Sequence, residues 1–257
     1  MKRKIIKWIL RITITGLVLV GILLVIILQP IVTYANKTNH NNFVIFHNKP
    51  LDPLLKAKLD EAVVLLKKSE FYDPSLKFDI CLNDGSTYPQ IIKILRGQAF
   101  GWGFYNKVVL QGVANYESNY VELNGYKWNL TQLLVHELVH CLQFQRLGLW
   151  KSKPIADIPD WKWEGYAEYI SRQGIEQKDF LKNMIRLTKA DRNKWGINFE
   201  DSTISPKDYY ENWILVQFCI DIKKMNYQQL ISDLTSEEAL KKEMMLWFNK
   251  QDNKENE

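Results

Sequence analysis

The sequence predicts an α+β domain, a mixed α/β half followed by a helical half, behind one N-terminal transmembrane helix. Three observations predict it. Residues 12–28 are all apolar, Gly or Thr; residues 43–123 alternate strand-like and helix-like runs; and from Asn129 the pattern is helical almost to the end.

Ile31 and Val32 extend the apolar stretch past Gln29-Pro30, and the 21 residues from Ile12 to Val32 measure about 31 Å as a helix, the thickness of a bilayer's hydrocarbon. A secretory signal has a shorter apolar region. Length therefore favours an uncleaved anchor, with release near Ala35 as the alternative. Lys2, Arg3, Lys4, Lys7 and Arg11 precede the span and no basic residue lies between Gln29 and Asn36. The N-terminus is expected in the cytoplasm and the rest outside it. The organisation expected is a leader and anchor over 1–33, a flexible tether over 34–42, a domain over 43–250 and a frayed, charged tail over 251–257.

Within the domain, Phe43–Phe46, Leu76–Leu82, Val108–Leu110 and Tyr120–Leu123 read as strands. Leu54, Leu55, Leu59, Val63 and Leu66 carry the spacing of a helix over 52–68, and a short helix is expected over 88–95. Further helices are expected over about 130–147, 161–173, 176–189, 208–224, 226–234 and 236–248. Gly97–Gly103 is not followed by the residues of a phosphate loop. It reads as the approach to an edge strand, Tyr105–Gln111, that could pair with an extended peptide. Val109→Pro is then expected to raise KM for peptides.

The net charge of +5 sits in the leader, whose five basic residues leave 29 others against 29 acidic ones. A nucleic-acid interface, which needs a basic patch on the folded domain, is excluded on that ground. Cys81, Cys141 and Cys219 fit neither a disulfide framework nor a CxxC metal site, and read as buried small side chains.

The chemistry is concentrated in Leu133-Leu-Val-His136-Glu137-Leu-Val-His140, an HExxH pattern on an apolar helix. Asn129 is a suitable N-cap and Gln132 completes a capping box. His136 and His140 stand one turn apart, so both rings reach one metal, while Glu137 is offset by about 100° and can reach a water there. A catalytic zinc takes three protein ligands and an open position. Gln143 and Arg146 stand where HExxHxxGxxH would need Gly and His, so the third ligand is expected from a downstream carboxylate. Glu164 and Glu168, one turn apart on one helix face, are the candidates, and the one that does not ligate can accept a hydrogen bond from a liganding His.

His136-Glu137-x-x-His140 followed by Glu164-Gly165-x-Ala167 resembles the gluzincin superfamily, most closely its aminopeptidase-type and peptidase-MA-like members. The resemblance covers Thr131 to Ile220 and implies a zincin-like domain with Glu164 as third zinc ligand. It also implies that Tyr209, in Tyr209-Tyr-Glu-Asn212-Trp-Ile-Leu-Val-Gln-Phe218, stabilises the transition state, although Asn212 replaces a usual small residue and Tyr210 is a rival. The chain's other histidines, His40 and His47, precede the motif, so an oxyanion donor opposite the metal must be another group, and a phenol can serve.

The expectation is a peptidase with one Zn²⁺ per chain, acting on a protein or peptide outside the cytoplasm, with Glu137 as general base. The family's aminopeptidases bind the substrate amine with a Gly-x-Met-Glu-Asn strand, and Gly112–Glu117 is a poor match, which favours an endopeptidase. A silent metal-binding interaction module and a zinc amidase acting on cell-wall peptide are the alternatives. Trp161 and Trp163 are expected in the core rather than in a substrate wall. The sequons at Asn36 and Asn129 bear on structure only through the cap.

Overall fold

The computed structural model describes residues 2–174, 177–191 and 193–255. It is a mixed α+β molecule with one N-terminal apolar helix, α1 (Lys2–Leu28). The stretch Ile5–Leu28 is long and apolar enough to span a membrane. Helix α1 ends before Pro30, which has no N–H to continue it, so Ile31 and Val32 fall in a separate 3₁₀ turn, Pro30–Thr33.

The segment expected to be a flexible tether is instead ordered. β1 (Asn36–His40) and β2 (Phe43–His47) form an antiparallel hairpin, from Asn36 opposite His47 to His40 opposite Phe43. Asn41 turns it at a φ of 50°, a conformation asparagine tolerates. Nothing in the polar, largely exposed Asn-Lys-Thr-Asn-His signals a strand; its partner makes it one. After α2 (Pro53–Leu66), β3 (Phe78–Cys81) joins β2 in parallel, and α3 (Tyr88–Arg96) leads into β4 (Gly101–Phe104) and β5 (Lys107–Leu110). The sheet order is β1-β2-β3-β5-β4. Tyr105 and Asn106 are the turn between the last two, so the edge on this side of the sheet is β4 and not the expected 105–111. Val109 is fully buried in an interior strand, where proline would break the fold rather than report on peptide binding.

Both faces of this sheet are covered. Phe43, Ile45, Phe78, Ile80, Val108 and Leu110 face the main core, while Phe46, Cys81 and Val109 face a smaller cluster with Tyr34, Tyr88 and Ile92. A second sheet, β6 (Val113–Asn115), β7 (Tyr120–Leu123) and β8 (Tyr126–Asn129), is antiparallel and runs into α4 (Leu130–Leu147). Every residue of α4 from Leu133 to Phe144 is buried, as expected of a helix with no polar face. α5 (Asp160–Ser171) and α6 (Phe180–Lys189) follow; residue 176, where the last of these was expected to begin, lies outside the described residues.

The helical half is interrupted by an unanticipated hairpin, β9 (Gly196–Asn198) with β10 (Ile204–Pro206). Then come α7 (Lys207–Gln217), a π-helical turn to Ile222, α8 (Tyr227–Ser232) and α9 (Glu237–Glu255). The tail expected to fray is helical to Glu255, and residues 256–257 lie outside the described residues. The three cysteines are buried and free.

Candidate metal centre

α4 positions His136 and His140 on one face, with Asn129 capping its start by accepting from the Gln132 amide. The capping box is incomplete, because the Gln132 side chain turns to Arg172 and Gln177. α5 brings Glu164 to the histidines, and Gly165 makes this possible. A Cβ there would stand 2.5 Å from the Asn212 carbonyl oxygen, so the glycine lets α7 cross α5 in backbone contact. What meets Gly165 is the Asn212 backbone, which is why no small side chain is needed at 212. The same crossing sets Tyr209, one turn earlier on α7, against His136 with ring centroids 5.7 Å apart. Tyr210 points away, fully buried and donating to the Asn183 carbonyl.

The Nε2 atoms of His136 and His140 are 3.0 Å apart, and Glu164 Oε2 is 3.2 Å from each. These three residues could hold a metal ion. Four ligands at about 2.0–2.1 Å around a tetrahedral ion stand about 3.3 Å from one another, close to this triangle.

The hydrogen-bond network assigns the protons. The Gln143 amide nitrogen donates to the Trp163 carbonyl, 3.1 Å, and to the Tyr227 hydroxyl, 2.6 Å. Its oxygen is therefore the atom facing His140 Nδ1 at 2.8 Å, and that nitrogen must be the donor. Glu168, paired with Arg172, places Oε1 3.0 Å from His136 Nδ1 as an ion-pair contact rather than an aligned hydrogen bond. With both rings neutral, the two Nε2 atoms would present lone pairs to each other and to a carboxylate, an arrangement that calls for a cation, a proton or a metal ion, between them.

A proton can also fill this role: burial works to lower the His136 pKa, but the carboxylates of Glu164 and Glu168 overcome it and push it up to about 10. Burial would raise Glu164, yet His140 and His136 hold it well below the usual carboxylate range. Glu168 is likewise lowered against its burial, chiefly by Arg172. Glu137 is shifted the other way, raised by burial. Tyr209 lies well above the ordinary phenol, through Glu164 first and burial second.

The cluster forms the floor of a cleft of about 690 Å³ whose walls include Arg96, Gly101, Trp102, Trp128, Trp163 and Tyr209. Glu164, 22% exposed, is the side of the triad that opens to it. β4 forms one wall, packed so close to α4 that a Cβ on Gly103 would meet the Glu137 carbonyl oxygen at 2.2 Å. The Gly103 amide helps restrain the Glu137 pKa. Trp163, expected in the core, stacks on the His140 ring at 5.6 Å and 9° and lines the cleft, whereas Trp161 is core.

Sequence reasoning missed Gln143, Tyr227, Arg172 and Gln132, which fix the histidines from behind. It had noted Gln143 only as a departure from a metzincin pattern. The i,i+3 spacing from His140 was the available signal. The chain matches no model of a known protein family and no curated protein.

Proposed function

We propose that the chain is a membrane-anchored, zinc-dependent peptidase of zincin-like, gluzincin type, with the cleft outside the cytoplasm. One observation carries the reading: two imidazole Nε2 atoms and a carboxylate converge in an open cleft beside a second, buried carboxylate, Glu137. A zinc ion held by His136, His140 and Glu164 would supply Lewis acidity to a scissile carbonyl and acidify water.

Glu137 sits on the same helix, offset from the ligands, and its raised pKa suits a group that takes a proton and returns it to a leaving amine. Tyr209 keeps its proton, as its raised pKa requires, and can donate to a developing oxyanion. The free edge of β4 can pair with an extended peptide and align it across the cleft. Endopeptidase action is favoured because Glu117, in the nearest match to an amine-binding strand, is absent from the cleft walls.

Glu137→Gln should keep the metal and lower kcat on the order of 10²–10⁴-fold, read on a mixture of N-terminally blocked and free peptides. A fully active variant would overturn the mechanism, and cleavage of free peptides alone would overturn the endopeptidase reading. Stoichiometric metal with no hydrolysis of any peptide by the wild type would favour the silent metal-binding module.

A further inference from the structure

The last turn of α1 belongs to two environments at once. It closes the apolar span Ile5–Leu28, yet Ile26 packs on the small cluster of Tyr34, Tyr88 and Ile92. The Tyr88 hydroxyl donates to the Ile27 carbonyl at 2.7 Å, and the Ser86 hydroxyl donates to the Thr33 carbonyl at 3.0 Å. Pro30 and Tyr34 are buried, and the Tyr34 hydroxyl donates to the Leu82 carbonyl. The domain is therefore fastened to the end of its own span with no slack between them.

Helix α3 starts at that junction. It buries Tyr88, Pro89 and Ile92 and leaves Ile94 84% and Leu95 45% exposed. Ile91, Ile94 and Leu95 are spaced i, i+3, i+4, one strip along the helix, and Lys93 is exposed about 100° round the helix from Ile94. Ile31 and Val32 are exposed on the 3₁₀ turn that follows the span. Ile94 lies about 9 Å along the helix from Tyr88, so the strip stays within about two turns of the end of the span.

We propose that α3 lies in the membrane interface, with Ile94 and Leu95 in lipid and Lys93 against anionic headgroups, as a second contact beside the span. Continuity with the span, rather than exposure alone, selects a bilayer as the occupant. The far end of α3 is Arg96, in the cleft wall over the Trp102 ring at 4.8 Å, and the chain passes from there into β4. The cleft thus opens beside the bilayer surface. For the peptidase proposed above, on which this consequence alone rests, the substrates are polypeptide segments held close to a membrane.

The test uses the full chain in lipid nanodiscs of phosphatidylcholine with about one-third phosphatidylglycerol, spin-labelled at Ile94→Cys or, as control, at Leu234→Cys. Leu234 is 98% exposed, and the native cysteines are buried. The proposal expects relaxation by oxygen relative to a water-soluble nickel chelate to be several-fold greater at 94 than at 234. Equal ratios would overturn it, and so would shielding of position 94 from both agents, which would mean that a second copy of the chain covers the helix. Neither label touches the metal cluster. Insertion without hydrolysis would leave the lipid contact standing and remove the peptidase reading; hydrolysis without insertion would do the reverse.

Discussion

At His140 the nitrogen turned away from the cleft meets Gln143, and the Trp163 carbonyl and Tyr227 hydroxyl decide which end of that amide it meets. The proton on His140 is thus set by groups outside the triad: the Gln143 amide, the Trp163 carbonyl and the Tyr227 hydroxyl. Gln143→Leu removes this control, and partners of that kind are worth about 10–100-fold in metal affinity. The variant should bind metal weaker by that factor in competition with a chelator, while its circular dichroism is unchanged. An unaltered affinity would show that the tautomer is set elsewhere. The ligand residues were legible because HExxH carries its geometry in its spacing. Gln143, Arg172 and Gln132 were not, since a buried amide or guanidinium has no pattern until its partners arrive from distant segments. Tyr209 and Tyr210 are equal in sequence, and only the direction of α7 separates them.

Among the strands, β4 packs closely on the site, against Glu137. Its glycines alternate so that positions 101 and 103 both face Glu137, one its side chain and one its backbone. Gly103→Ala forces backbone from backbone, and overpacking of this kind costs about 1–3 kcal/mol. Its melting temperature should fall clearly. Gly101→Ala, whose Cβ would stand 3.2 Å from the Glu137 side chain, should melt near the wild type and keep its metal, with kcat reduced through a displaced carboxyl. If Gly103→Ala were as stable as the wild type, the close packing of β4 on α4 would not be what holds Glu137. The Gly-rich run reads only as the approach to a strand because a strand made to lie against a helix must give up the side chains that mark strands. β5, with Val108, Val109 and Leu110, kept those marks and was mistaken for the edge. The long helices α4, α5 and α7 were legible because periodicity and caps act locally.

Over the whole molecule, the order of a mixed half and a helical half followed from hydrophobic periods, and so did the apolar leader. The firm junction between leader and domain did not, because Tyr34 and Pro30 gain their burial from residues some fifty positions away. Tyr34→Ala should destabilise the full chain by about 3 kcal/mol, and Tyr34→Phe by only about 1 kcal/mol, the single hydrogen bond, both read by denaturant unfolding. Equal, negligible effects would restore the flexible tether. The claim on which the functional reading rests is that His136, His140 and Glu164 hold a metal. Its most direct measurement is the metal content, by mass spectrometry, of the full chain purified without chelators, beside Glu164→Ala and Glu168→Ala. The account predicts about one zinc per chain, lost in Glu164→Ala and retained with weakened affinity in Glu168→Ala. Wild-type chain without metal, or Glu164→Ala with its full complement, would contradict it.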